Sequence, residues 1–365
     1  MYGTMDIHSG INGESCLHGG IYSVNPNLVK VDFSSNVNPI GISQLASDAI
    51  QENAILLSSK YPDSECRALK RSLSVYLEND LDDEWICIGN GATELIHRFA
   101  QTFVRNKVII PFPTFCEYES ASKRCGAEIN FVSMNNLSLD PDVIIESAKN
   151  SDAIFLCNPN NPTGLTCETK LIKKVIESVD TSTKILVDES YIELADCGPN
   201  SHTMIDKIKE FKNLIILRSM TKSFGLAGLR LGYTICNPKL TRCLSRYQIP
   251  WNVNGLAQAA GIASLNDPNH LKLSRALIQK ERAFLQGKIG KMQTFNPHTS
   301  NVNYFLISLE NKNSIELRDM LLDQKGVLVR DCSTFRGMGV KYVRVAVKTR
   351  DENLCLLDAL ESIDN

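Results

Sequence analysis

Short apolar runs recur through the middle of the chain, each followed by a polar turn and an amphipathic stretch. Trp85–Ile88, Lys107–Ile110, Ala153–Cys157, Lys184–Val187, Leu214–Leu217 and Leu231–Ile235 are such runs. They lack the polar–apolar alternation of a half-solvated sheet, so they predict short strands buried on both faces. Thr93–Phe103, Pro141–Lys149 and Leu171–Val179 carry helical spacing between them. Strand and helix alternating in this way imply a mainly parallel sheet with helices on both sides. Ligands of such sheets collect beyond the carboxyl ends of the strands. The character changes after about residue 255, where Asn269–Met292 is a long helical pattern rich in Lys, Arg, Leu and Ala. Strands are then predicted at Asn303–Ile307, Val327–Val329 and Val343–Val347, and helices at Ile315–Leu322 and Glu352–Ile363. The expectation is an α/β protein with a large domain over 46–254 and a smaller α/β domain built from 1–45 and 255–365.

A length of 365 residues can bury a large core and suggests two domains. With 43% hydrophobic and 22% charged residues, the chain reads as an ordinary soluble globular protein. Its net charge of −2, from 39 basic and 41 acidic residues, argues against a nucleic-acid or anionic-membrane partner. Either would need a concentrated basic surface. No apolar run is long enough to span a bilayer, and Met1–Gly20 lacks the apolar centre of a secretory signal. A cytoplasmic protein is therefore expected. The 12 cysteines are scattered, without a Cys-x-x-Cys pair or zinc-ligand spacing. They read as reduced, mostly buried thiols, and no metal site is expected.

Candidate chemistry gathers just past the predicted strand ends. Gly89–Glu94 follows the first strand and opens a helix. Glycine lets backbone approach an oxyanion, and the helix start offers unpaired N–H groups and a favourable dipole. Pro113–Tyr118 follows the next strand, and Phe115 reads either as a core ring or as a ring stacked on a flat ligand. Asn158–Gly164 carries two Asn-Pro steps, more than turn chemistry alone produces. Cys116 and Cys157 fall inside or beside these motifs as packing neighbours. Val187–Tyr191 supplies Asp188, which alone reads as a cap. Leu217–Tyr233 supplies Lys222, framed by hydroxyls and followed by glycines and Arg230.

Together these segments resemble the cofactor segments of class I/II aminotransferase-type enzymes of fold type I, which depend on pyridoxal 5'-phosphate (PLP). The likeness runs from His18 to the last helix. It implies that Lys222 joins the cofactor aldehyde as an imine and, once released, becomes an amine placed for proton transfer. It implies that Gly91, Ala92 and Thr93, with Ser219 and Arg230, hold the cofactor phosphate, and that Phe115 stacks on the pyridine ring. Asp188 would pair with the pyridine nitrogen, keeping the ring protonated and electron-withdrawing. Asn161 and Tyr191 would donate to the phenolic oxygen. Lys60–Asp63 resembles the segment whose tyrosine, here Tyr61, reaches the phosphate in a neighbouring subunit, which implies a homodimer. Arg344, in Val343–Ala346, matches the arginine that grips a substrate α-carboxylate with a bidentate fork.

Two subfamilies share these features, histidinol-phosphate aminotransferase and the threonine-phosphate decarboxylase of the cobalamin pathway. His18–Gly20, Asp32–Gly41, Gln248–Asn254 and Arg330–Gly339 resemble the decarboxylase. Ser223–Phe224 and the Gly-Leu-Ala-Gly that follows resemble the aminotransferase. The resemblance implies decarboxylation of O-phospho-L-threonine or O-phospho-L-serine, with histidinol-phosphate amino transfer as the alternative. Substrate contacts are expected from His18, Gly19, Asn36, Asn161, Asn254, Arg330 and Arg344. Arg336 is available as a further cation or as a surface residue. Which arginine takes phosphate and which takes carboxylate stays open at this level.

Other classes fit less well. There is no Gly-x-Ser-x-Gly nucleophile elbow and no phosphate loop ending in Gly-Lys-Ser/Thr. No glycine-rich dinucleotide fingerprint follows the first strand. A non-catalytic protein of the same fold would be expected to have lost the lysine or the carboxylate, and both stand here.

Overall fold

In chain order the strands are β1 (Val31–Asp32), β2 (Ile86–Gly89), β3 (Lys107–Phe112), β4 (Glu128–Ser133), β5 (Ala153–Cys157), β6 (Lys184–Asp188), β7 (Leu214–Ser219), β8 (Gly232–Cys236), β9 (Phe295–Pro297), β10 (Tyr304–Leu309), β11 (Val327–Leu328), β12 (Arg330–Asp331) and β13 (Tyr342–Ala346). They belong to a computed structural model that describes residues 18–364. The expected absence of a signal segment concerns residues that lie mostly outside that range.

β2, β8, β7, β6, β5, β3 and β4 lie side by side in that order as one sheet. β8 alone runs against its neighbours, and the remaining pairs are parallel. The mainly parallel sheet expected from the apolar runs is present. Every residue of β2, β7 and β8 is buried, which explains why those runs show no alternation. Alternate residues of one strand serve opposite faces. Ile109, Ile154, Ile185 and Ile216 enter one core, while Val108, Phe155, Leu186 and Ile215 enter the other. The apolar runs do not predict β4. It is an edge strand with exposed ends, and its Glu-Ile-Asn-Phe-Val-Ser sequence mixes polar with apolar positions.

The helices expected between strands are found as Gly91–Phe103, Pro141–Ser147 and Thr169–Ser178. The second begins with proline at its first position, and the Asp140 carboxylate accepts from the N–H groups of Asp142 and Val143. Both features satisfy donors that a helix start leaves unpaired.

β12, β13, β10 and β9 form a second, antiparallel sheet. β1 pairs in parallel with β11, Val31 opposite Val327. Phe33 packs with Leu285, Phe305, Val343 and Leu356 in the core of this part. Helix Gly255–Leu265 lends Ala257, Ala260 and Leu265 to the core of the large sheet. Helix Pro268–Ile289 spans both cores, with Leu271 and Ile278 in the first and Leu285 and Ile289 in the second. No helix among the described residues is long and apolar enough to cross a membrane. The described cysteines are free thiols except Cys116, which is disulfide-bonded and so departs from the expected reduced set.

One buried ionic cluster joins the sheet to the loops above it. Arg218, 3% exposed near the end of β7, donates to Glu189 at 3.1 and 3.0 Å and to Glu193 at 3.2 Å. Thr203 Oγ1 and the Met204 N–H donate to Glu189, and Ser223 Oγ donates to Glu193. Burial pushes both carboxyls up, and the Arg218 guanidinium opposes that shift. Removing the cation would strand two carboxylates in a dry interior. Arg218→Met is therefore expected to lower the unfolding free energy by about 3–5 kcal/mol, read as a fall in urea midpoint. A midpoint equal to the parent's would show that the cluster contributes little.

Candidate active site

The loops leaving the carboxyl ends of the parallel strands converge on one cavity of about 270 Å³. Ala92 and Thr93 reach it from beyond β2, Phe115 from beyond β3, and Asn161 from beyond β5. Asp188 and Tyr191 come from the end of β6, Ser219 and Lys222 from the end of β7, and Arg230 from the approach to β8. The N-terminal arm adds His18, Gly19 and Asn36, and the second sheet adds Arg330 and Arg344. Lys222 and Asp188 thus face one space. Ser34, Ser35, Tyr118, Ser190, Thr221 and Phe335 also line it, and the motifs did not single them out.

Gly91 shows why the turn after β2 needs glycine. Its φ is +77°, and a Cβ there would lie 2.6 Å from Arg230 Nη2. Without a side chain, the guanidinium can lie against the start of helix Gly91–Phe103. Backbone N–H groups and a cation then point at the same spot, a ready seat for a phosphate.

Asp188 is 3% exposed and accepts from Tyr118 Oη at 2.7 Å and from the Ser190 N–H at 2.9 Å. Burial pushes its carboxyl up, and those two donors oppose the shift. Tyr118 is itself held, stacked on Phe155 with ring centroids 5.0 Å apart and edge-on to Phe115. Burial brings the Lys222 amine down to about 8, with Arg344 and Arg230 pushing the same way and Asp32 opposing. Burial lifts the Tyr191 phenol to about 12 against the pull of Arg344, so it stays a hydroxyl donor at neutral pH.

The Asn158–Gly164 loop holds three asparagines with separate work. Asn158 bonds Cys167 and the His202 carbonyl, and Asn160 bonds the Pro113 carbonyl and Thr163. Asn161 alone of the three faces the cavity. Its Oδ1 accepts from Arg344 Nη1, which leaves its amide N–H groups as the donors to offer.

Arg330 and Arg344 are directly opposed across β12 and β13. Cross-strand partners share a face of the sheet. Arg344 is buried and donates to the Ser34 carbonyl at 2.8 Å. With its amide oxygen toward the guanidinium, Asn36 accepts from Arg344 Nε and Nη1 at 3.2 Å. Burial and the nearby Arg344 bring Arg330 down to about 10, and its guanidinium lies over the Phe335 ring.

Three residues singled out in the sequence lie outside this cavity, Tyr61 and Arg336 in keeping with an intersubunit role and a surface position, Asn254 against expectation. Asn254 does not line the cavity. Its Oδ1 accepts from the Ala257 N–H at 2.7 Å, capping helix Gly255–Leu265, and its Nδ2 donates to the Leu229 carbonyl. Both ends of the amide are thereby used. Arg336 pairs with Glu119 at 2.9 Å and stacks on Phe131 at 3.7 Å, also outside the cavity. Tyr61 is 82% exposed, its ring 4.8 Å from that of Trp251.

The residues present fit PLP. A phosphate seat, a buried acid, two donors flanking it, a flat aromatic and a deprotonatable lysine surround one space of suitable size. Fold and site together define a PLP-dependent enzyme of fold type I. Residues 29–360 match the family described as Aminotransferase class I and II, and the chain belongs to that family, whose members depend on PLP. A curated Caldanaerobacter subterraneus relative, named "Putative threonine-phosphate decarboxylase", is 34% identical over 90% of this chain and 89% of its own length. The crystal structure of histidinol-phosphate aminotransferase from Clostridium acetobutylicum superposes with a TM-score of 0.85 at 32% identity, covering 92% of this chain and 99% of that one. That of L-threonine-O-3-phosphate decarboxylase from Porphyromonas gingivalis gives 0.81 at 27% identity, covering 91% and 99%.

Three forms of the protein, the parent, Lys222→Ala and Gly91→Ala, test this geometry. Because the Lys222 amine is neutral only above about 8, the rate at which apoprotein takes up PLP should climb with pH through that value and then level off. Lys222→Ala should retain no cofactor that borohydride can trap. Gly91→Ala should lower the unfolding free energy by about 1–2 kcal/mol through its left-handed backbone, and should weaken PLP binding by displacing Arg230. Equal PLP affinity in Gly91→Ala and the parent, by fluorescence titration, would contradict the seat.

Proposed function

We propose that the protein removes the carboxylate of O-phospho-L-threonine, or of O-phospho-L-serine, as CO₂ and puts a proton on Cα in its place. The product is the amino-alcohol phosphate, aminopropanol phosphate in the threonine case, a linker unit for the cobalamin nucleotide loop. The observation that carries this reading is the opposed pair Arg330 and Arg344. Like charges directly across a strand pair repel. A ligand bearing both a phosphate and a carboxylate relieves both guanidiniums at once. Arg344, fixed by Ser34, Asn36 and Asn161, suits the planar carboxylate. Arg330, at the side of Phe335, takes the phosphate.

PLP, when bound, supplies an electron sink for the pair left at Cα. The protein's own residues do the rest. Asp188 would keep a proton on the pyridine nitrogen, and Asn161 and Tyr191 would donate to the phenolic oxygen. Gly91, Ala92, Thr93, Ser219 and Arg230 would hold the cofactor phosphate, and Phe115 would pack on the ring. The Lys222 amine, which lines the same cavity, would carry the proton to Cα.

Amino transfer from histidinol phosphate is the second reading, favoured by 32% identity to the Clostridium aminotransferase. Histidinol phosphate has no carboxylate, so it would offer no planar anion to Arg344. The active form is a homodimer in the cytoplasm. Tyr61, Trp251 and Ile249 support this, as exposed apolar side chains close together in sequence or space that a second copy would cover.

Phospho-threonine supplied alone should release CO₂, while histidinol phosphate with 2-oxoglutarate should yield little glutamate. Glutamate without CO₂ would end the decarboxylase reading. Arg344→Lys should raise KM for phospho-threonine by about 10-fold or more, since lysine cannot keep the contacts to Ser34, Asn36 and Asn161 that aim the charge.

A further inference from the structure

Glu117 is a carboxylate 7% exposed that the cofactor contacts leave unexplained. Its Oε1 lies 2.8 Å from His18 Nε2, and its Oε2 lies 2.8 Å from His97 Nε2. The three residues come from separate places. His18 belongs to the N-terminal arm, and His97 to helix Gly91–Phe103, whose start forms the phosphate seat. Glu117 opens helix Glu117–Arg124, two residues after Phe115. A carboxylate only accepts, so both imidazoles present Nε2–H to it. The hydrogen bonds from His18 and His97 hold the Glu117 carboxyl down at about 2, and it is an anion throughout the working range. His18 is left with Nδ1 to offer, and its ring stands in the cavity wall 5.9 Å from that of Phe115.

We propose that Glu117, braced by His97, is a positioning residue that locks His18 in its Nε2–H form and aims Nδ1 at the anionic end of the substrate. The inference rests on the reading of the cavity as a phosphorylated amino-acid site and assigns a role that reading does not contain. When a substrate anion binds beside Nδ1, that nitrogen takes up a proton from solvent, and the ring then donates to Glu117 on one side and to the anion on the other by charge-assisted hydrogen bonds. The arm that carries His18 and Gly19 is tied by the same contact to the helix beside the ring-stacking position. Glu119, two residues on, pairs instead with Lys123 and Arg336. It therefore serves as a comparison for loss of a neighbouring carboxylate that does not touch His18.

The experiment uses holoenzyme labelled with ¹⁵N-histidine, as parent, Glu117→Gln, His97→Asn and Glu119→Gln. In the substrate-free parent, the neutral His18 ring should report a single Nε2–H tautomer. Glu117→Gln should give a mixture with the Nδ1–H form and raise KM for phospho-threonine by about 10-fold, with kcat held within about twofold. The same variant should bind inorganic phosphate about 10-fold more weakly. His97→Asn should move all three in the same direction by less, and it carries the test if Glu117→Gln does not fold. Glu119→Gln should keep the parent tautomer. A single tautomer in Glu117→Gln, unchanged KM and phosphate affinity, or Glu119→Gln behaving like Glu117→Gln would each overturn the proposal. Tautomer and phosphate binding need no turnover. A parent that releases no CO₂ would therefore sink the functional reading without touching this one.

Discussion

A guanidinium enclosed by two carboxylates underlies the cavity, and the relation between its acid and its amine depends on it. Glu189 is the residue after Asp188, and Ser223, which donates to Glu193, is the residue after Lys222. Arg218 grips both carboxylates from the strand between. In a dry interior none of these groups can separate without leaving an uncompensated charge. The turn that presents the acid and the turn that presents the amine consequently behave as one piece. Exposed pairs such as Arg242 with Glu84 exert no such grip, because water competes for both partners.

The substrate half is made differently. Its walls are an N-terminal arm and a loop after β12, held to the large sheet by contacts such as His18 with Glu117 and Arg336 with Glu119. Rigid strand ends hold the cofactor side, and replaceable segments shape the other. Such a division fits relatives that bear decarboxylase and aminotransferase names while covering nearly the same stretch of this chain. A change in those segments can alter which bond at Cα is exposed without disturbing the cofactor seat.

The cofactor side was legible in the sequence because its residues sit within a few positions of buried strand ends, where an apolar run stops and a glycine, asparagine or acid follows. Asp188 and Lys222 needed no knowledge of pairing to be placed together. The substrate side was less legible because it depends on register. That Arg330 stands opposite Arg344 follows from how β12 meets β13, and nothing in the local sequence of either strand announces it. Tyr118 and Glu117 lie within Pro113–Tyr118, yet a tyrosine and a glutamate at a helix start read as ordinary packing and ordinary solvation. Asn254 shows the reverse error. Asparagine ahead of a run of small helix-forming residues is a cap signal, and that local explanation was sufficient. β4 was missed because an edge strand needs no continuous apolar run.

β1 finds its partner in β11, far along the chain. All seven strands of the large sheet, β2 to β8, precede β11, so they can pair before it leaves the ribosome. Ser34 and Asn36 cannot be fastened by Arg344 until β13 has followed. A chain paused before β13 would therefore have its large sheet but not the wall that Arg344 and the arm complete.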